Sequence, residues 1–181
     1  MPSLRSAPLA AFAAFALTAC AGTSSGPAHA PPADTPSLVG TWTLAAADDL
    51  RPDGTRVRAF GDAPEGLLIV DADGRYSLQI FRTDRRAFAS ADKRRGTPEE
   101  YQAALLGIST HIGHCAIDPG GATLTFHIER SAYPNWEGTT QVRHFTLHAG
   151  ELAYQVPAPA GSNIPISIWH RVRAAANATQ R

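Results

Sequence analysis

The sequence predicts an all-β protein: an eight-stranded, up-and-down antiparallel barrel with one short helix. Three observations predict it. Between Leu38 and Arg173 the apolar residues alternate over short runs instead of recurring at helical spacing. Gly, Pro and Asp turn signals interrupt those runs about every ten residues. A single stretch, opening at Thr97-Pro98-Glu99-Glu100, carries the start signals of a helix.

The chain begins with one positive side chain, Arg5, and an apolar run from Pro8 to Leu17 that ends in Leu17-Thr18-Ala19-Cys20. A transmembrane helix needs about 20 apolar residues, and this run has roughly half that, so the segment reads as a secretory signal. Leu17-Thr18-Ala19-Cys20 resembles the bacterial lipobox, which implies cleavage before Cys20 and acylation of that cysteine (palmitate as the chain type). Several acyl chains anchor a protein stably to a bilayer where one would not. A plain signal peptide cut after Ala28-His29-Ala30 is the alternative. Ala21 in place of Asp, by resemblance to lipoprotein sorting, implies a bacterial outer membrane with the protein facing the periplasm. From Ala21 to Ser37 the chain is Ala, Gly, Ser, Thr and Pro with hardly a large apolar residue, a flexible tether. The expected organisation is therefore signal peptide 1–19, lipidated Cys20 and tether 20–37, barrel 38–173, and a polar tail 174–181.

Within the body the expected strands follow in order. Gly40–Ala47 is first; Gly66–Asp71 and Arg75–Arg82 flank Asp71-Ala72-Asp73-Gly74, a hairpin turn with glycine supplying positive φ. The helix follows, with Thr97 as cap, Pro98 in the first turn, and Glu99 and Glu100 at the positive end, and it stops at Gly107. Thr110–Ile117 and Ala122–Arg130 flank Asp118-Pro119-Gly120-Gly121. Thr139–His148 and Glu151–Val156 are joined across Ala149-Gly150, and Ile164–Val172 is last. Closing eight such strands leaves no exposed edge and encloses either packed side chains or one small ligand.

Composition removes several functions. Sixteen basic residues balance sixteen acidic ones, and the cleaved form keeps 15 against 16, so there is no electrostatic footprint for nucleic acid. Two cysteines cannot form a disulfide framework, and no zinc-module spacing is present. There is no G-x-S-x-G, H-E-x-x-H or glycine-rich phosphate loop, so the reading leans away from an enzyme and implies no cofactor.

Leu38-Val39-Gly40-Thr41-Trp42 is similar to the G-x-W opening of lipocalins and the wider calycin barrels, and Trp169-His170-Arg171 supplies the arginine that stacks on that tryptophan in those barrels. Pro64-Glu65-Gly66-Leu67-Leu68-Ile69, the stretch from Tyr76 to Phe88, and Tyr133-Pro134-Asn135-Trp136-Glu137-Gly138 followed by Gln141, Arg143 and Phe145 resemble the bacterial lipocalin-like domain family. The resemblance covers nearly all of Leu38–Val172 and implies a β-barrel with a pocket. Ile108 and His111 stand where relatives often have aromatic residues.

Gln141, Arg143, Phe145 and Leu147 share one face of a strand. If Phe145 and Leu147 point inward, Arg143 does too, and a buried guanidinium must then meet an internal acid, a wet rim or a ligand anion. Trp136 either folds over the barrel mouth as a lid or packs outside the sheet against the helix. Tyr76 or Phe81 supplies lumen wall. His111 and His114 point to opposite faces of an extended strand, so with His127 and Glu129 they could form a metal set only if the strand bulged at Gly113; no metal site is assigned. Cys115 shares a face with His111 and reads as buried and inert. The run Arg82, Arg85, Arg86, Lys93, Arg94, Arg95 is a solvated loop or a contact for anionic headgroups. Arg143, Gln141, Trp136, Tyr76, Phe145 and His111 are the ligand-binding candidates. The expected function is a membrane-anchored lipocalin-like protein that binds a small, mainly apolar ligand with a polar or anionic end. The alternatives are an isomerase or cyclase using His111, Tyr76 or Glu129 as acid or base, and an envelope interaction module with a filled barrel.

Overall fold

The computed structural model describes residues 36–173. The signal segment 1–19, Cys20, the tether to residue 35 and the tail 174–181 lie outside the described residues. The elements are β1 (Gly40–Leu50), β2 (Arg56–Val57), β3 (Glu65–Val70), β4 (Arg75–Phe81), α1 (Pro98–Leu106), β5 (Ile108–Ile117), β6 (Thr123–Ser131), a 3-10 turn at Pro134–Trp136, β7 (Thr140–His148), β8 (Glu151–Gln155) and β9 (Ile164–Arg171). From β3 to β9 each strand pairs antiparallel with the next. β1 pairs with β3 on one side and with β9 on the other, from Trp42 opposite Arg171 to Leu50 opposite Ile164. That last pairing closes eight strands into a barrel, and the two-residue β2 joins β1 beyond β3, at Asp49 and Leu50.

Alternation decides what points inward. Tyr76, Leu78 and Ile80 of β4, Leu124, Phe126 and Ile128 of β6, and Leu152 and Tyr154 of β8 are all buried. The end where β1 starts is sealed. Trp42 and Trp169 are completely buried there, and Trp42 Nε1 donates to the Leu38 carbonyl at 2.9 Å. The Arg171 guanidinium lies 4.0 Å from the Trp42 ring and donates to the Val39 and Ser37 carbonyls. Gly40 has φ +134°, and a Cβ there would come 2.9 Å from Arg171 Nη1, so the glycine of the G-x-W opening is what lets the arginine reach the indole.

Two boundaries differ from the sequence reading by more than one residue, and one short strand is additional to it. β1 continues past Ala47 to Leu50, because a bulge between Leu44 and Ala46 resets its alternation and Asp48 and Asp49 still pair with β9. The run Ala45-Ala46-Ala47-Asp48-Asp49 has no apolar alternation to reveal this. β5 begins at Ile108, opposite Phe81, two residues earlier than expected. β2 is too short to leave a periodic signal. The helix spans Pro98–Leu106 as expected, with a reciprocal capping box in which Thr97 Oγ1 accepts from Glu100 N and Glu100 Oε2 accepts from Thr97 N at 2.7 Å. Among the described residues no helix is long and apolar enough to cross a membrane.

Two substitutions test this account. Trp42→Ala should lower the unfolding free energy by about 3–5 kcal/mol, the cost of emptying a buried aromatic site. Ala149 sits at φ +49° beside Gly150 in the two-residue β7–β8 turn. Ala149→Gly should therefore raise stability by up to about 1 kcal/mol, because glycine removes the left-handed strain. Chemical denaturation reads both, and an Ala149→Gly protein no more stable than the parent would refute the strain argument.

Candidate functional site

The barrel interior is divided. Trp42, Leu68, Val70, Leu124, Leu152 and Trp169 fill the half near the sealed end, and the other half holds a cavity of about 420 Å³. Pockets that hold drug-sized ligands run from about 300 to 1,000 Å³. Leu78, Arg143, Tyr154 and Ser167 line this one toward the sealed end; Ile80, Ser109, His111, Gln141 and Ile166 form walls; Phe60, Leu105, Leu106, Tyr133 and Trp136 gather at the mouth. The lumen is therefore neither wholly filled nor wholly open.

Arg143 lies in the middle of β7, opposite Leu124, and is 3% exposed. Its guanidinium carbon sits 4.3 Å from the Phe126 ring centroid and 4.8 Å from that of Tyr154. Nη2 donates to Gln141 Oε1 at 2.7 Å, and Nε, also buried, has no hydrogen-bond partner. Among the described residues no carboxylate pairs with it. Of the three environments open to a buried guanidinium, the internal ion pair and the wet rim are therefore absent. Burial pulls its pKa down from the ordinary arginine value. Two aromatic faces, the Gln141 amide and the Tyr154 hydroxyl hold this charge, and cation–π contacts contribute about 0.5–2 kcal/mol each.

His111, also 3% exposed, is the neighbour of this charge. Its Nδ1 shares a 2.7 Å hydrogen bond with the Tyr76 hydroxyl, and its ring stands edge-on to Tyr76, Phe126 and Trp136. Burial, and then the charge of Arg143, drives the His111 pKa down to about 3. Burial likewise pushes the Tyr76 phenol well above its usual value and the Cys115 thiol up to about 12. Imidazole, phenol and thiol are thus neutral across the physiological range, and Arg143 supplies the charge of the inner cavity. At the mouth, Asp48 is paired with Arg56 at 2.6 Å, and Asp49 accepts weakly from Asn163 at 3.4 Å.

The structure brings four of the six sequence candidates together: Arg143, Gln141, His111 and Trp136 line one cavity. Tyr76 stands behind His111 and touches the site through the shared hydrogen bond. Phe145 packs on the core and is not part of the cavity wall. Trp136 is half-buried at the mouth, 6.1 Å from His111 and 5.6 Å from Tyr133 between ring centroids, and not on the outside of the sheet against the helix. His111 and His114 do not converge. A bulge does occur at Gly113, but the extra residue is Glu129 of β6, so the alternation of β5 is unbroken. A Cβ at Gly113 would lie 2.0 Å from the His127 carbonyl oxygen, so only glycine fits opposite that bulge. His114 points outward to Glu129, which also holds Arg75. In the basic loop, Arg82 and Arg94 are paired with Asp84 and Asp92, and Arg85 stacks on Phe81.

Sequence reasoning missed Tyr154, Ser167 and Phe60. The alternation of Leu152 and Tyr154 in β8 was a usable signal for the first. Ser167 is one polar residue on an apolar face, and Phe60 lies in a loop, where periodicity says nothing.

A closed antiparallel barrel with an indole-and-arginine plug at one end and an apolar cavity at the other defines a lipocalin-type architecture. Residues 39–172 match the model of the lipocalin-like domain, and the chain belongs to that family. None of the curated proteins matches it. Among solved structures it is similar to the "REP1-NXSQ fatty acid transporter", at 14% identity over 76% of this chain and 98% of that one, with a TM-score of 0.36. It is also similar to a mutant of the fluorescent protein UnaG, at 13% identity over 75% of this chain and 96% of that one, with a TM-score of 0.34.

The buried histidine makes acid stability a direct readout of the site. A free histidine titrates near 6.5, whereas folded His111 stays neutral down to about 3. Between those values the unfolded chain binds a proton that the folded chain refuses, so stability falls as pH falls, by up to about 1.4 kcal/mol per pH unit. His111→Gln should flatten this dependence between pH 6 and pH 4 in urea titrations. Equal slopes in parent and variant would show that His111 is not held neutral.

Proposed function

We propose that this protein binds a small, mainly apolar molecule with a polar or anionic end inside the barrel. The observation that carries the reading is Arg143, a buried charge without a counter-ion in the wall of an apolar cavity. Leaving a charge unpaired in such a place is expensive, and a ligand's polar end relieves the cost. Acid–base isomerase or cyclase chemistry draws no support from the site. His111 is a poor base with its pKa near 3, Tyr76 is a poor acid, and Glu129 lies outside the barrel in ion pairs. A fully filled interaction module is at odds with the cavity.

Anilinonaphthalene sulfonate, an aromatic body with one anionic end, is a suitable first probe; it is larger than the cavity, so one of its rings would lie among Leu105, Leu106 and Trp136 at the mouth. The purified protein should enhance and blue-shift its fluorescence with micromolar affinity. Ser109→Trp, which places an indole in the cavity wall, should weaken binding at least tenfold while leaving the thermal midpoint near that of the parent. Absence of binding by this probe and by decanoate in native mass spectrometry would refute the reading.

We further propose that the barrel is held at a bacterial outer membrane, on the periplasmic side, by acyl chains on Cys20. Support comes from Leu17-Thr18-Ala19-Cys20 at the end of a short apolar run and from the core-poor tether behind it. Cys20→Ser should move the protein from the membrane fraction to the soluble fraction of cells, with loss of radiolabelled palmitate. An unchanged distribution would refute lipid anchoring.

A further inference from the structure

We infer that the cavity selects a monoanionic head, a carboxylate seated against Arg143, on an apolar body of about a dozen heavy atoms that extends toward Leu105 and Leu106. This inference rests on the proposed ligand-binding role and adds the charge, the orientation and the size of the ligand.

The charge follows from what faces the guanidinium. Tyr76 comes from β4, His111 and Cys115 from β5, Tyr154 from β8, and Asp48 and Asp49 from the mouth end of β1. His111, Tyr76 and Cys115 are held neutral by burial, and Asp48 is satisfied by Arg56. One positive charge therefore awaits the ligand in the inner cavity. A single negative charge neutralises it. A phosphate monoester, with a second pKa of about 6, brings a second charge at pH 8 with no cation to meet it, and Asp49 at the mouth opposes it further. An ammonium head meets a like charge, and an alcohol leaves the guanidinium unneutralised.

The donors agree. A guanidinium carries five N–H groups; within the protein Gln141 Oε1 accepts from Nη2, Nε–H is enclosed, and the residue lines the cavity, which leaves the Nη groups as its donors there. A carboxylate supplies two acceptor oxygens to a planar fork, the pairing for which arginine is best shaped. Ser167 presents a buried hydroxyl to the same space.

Orientation and size follow from the walls. Arg143, His111 and Ser167 lie toward the barrel's middle, whereas Phe60, Leu105, Leu106 and Trp136 surround the mouth beside Asp48 and Asp49, so an anionic head goes inward and the tail outward. At about 30 Å³ per water-sized unit, the 420 Å³ cavity takes about 14 heavy atoms. Straight-chain carboxylates should gain affinity by up to about fourfold per methylene as they lengthen to some ten to twelve carbons, and little beyond.

The test is calorimetric titration of the purified protein at pH 8 with decanoate, decanol, decyl phosphate and decylammonium, each below its micelle concentration. Decanoate should bind at least tenfold tighter than the other three. Its affinity should change less than twofold between pH 6 and pH 9, because the neighbouring histidine does not titrate there. Arg143→Met should bring decanoate to the level of decanol, with a native circular dichroism spectrum; the ligand series on the unmodified protein decides the matter if that variant fails to fold. Decanol or decyl phosphate binding as tightly as decanoate would overturn monoanion selectivity while leaving an apolar binding cavity in place. Failure of all four ligands to bind would overturn the cavity's binding role as well.

Discussion

The pairing of β1 with β9 is the constraint on which the rest of the molecule depends. Without it the chain is an open antiparallel sheet with two exposed edges and no interior. With it, eight strands enclose a lumen, and the same register that sets Trp42 opposite Arg171 stacks a guanidinium over the indole at the closing seam. The plug is a local cluster with global effect. Gly40 admits the arginine, the Leu38 carbonyl fixes the indole N–H, and the backbone before β1 supplies acceptors for Arg171. The sealed half can then fill with large side chains to native density, and any empty volume is displaced to the other end.

Three arginines stack on aromatic rings, Arg85 in a loop and Arg171 and Arg143 on strands of the barrel, and the last two differ in how far the protein satisfies them. Arg171 meets Trp42 at 4.0 Å and gives its N–H groups to two backbone carbonyls. Arg143 meets Phe126 and Tyr154 at similar distances, deeper in the molecule, yet gives one N–H to an amide and leaves Nε with nothing. The first is satisfied by the protein itself. The second is incomplete, and its residue lines a cavity. A stability argument accounts for Arg171 in full; it does not account for Arg143, which a methionine could replace with less desolvation cost.

The fold was legible in the sequence because period-two alternation and hairpin turns are local properties. The strands from β3 to β9 and the helix emerge within a few residues of their expected limits, since each carries its own apolar face or cap. The site was legible only in part. That Arg143 and Gln141 face inward followed from sharing a strand face with Phe145 and Leu147, but alternation cannot tell depth. Phe145 lies toward the packed half and Gln141 toward the open half of one and the same row. Depth depends on strand stagger around the barrel, which no single segment encodes. The same limit hid the bulge. Gly113 marked the place, but whether β5 or its partner takes the extra residue is settled by the pairing, and the pairing puts Glu129 there.

The mouth is built differently from the sealed end. No residue of α1 is buried, and Leu106 is 70% exposed although it contributes to the cavity wall. The helix owes its form to local interactions: the Thr97–Glu100 box, Glu100 accepting from the Ala89 N–H, and Tyr101, whose hydroxyl donates to the Lys93 carbonyl and whose ring packs on Phe88. These bind α1 to the loop before it more than to the barrel. Segments with little buried apolar surface open at low free energy, whereas a core closed by β1 and β9 opens only with global unfolding. The barrel thus confines its low-stability region to the entrance of the cavity. The position of Arg143 is set by β7 and its neighbours, within the closed part of the barrel.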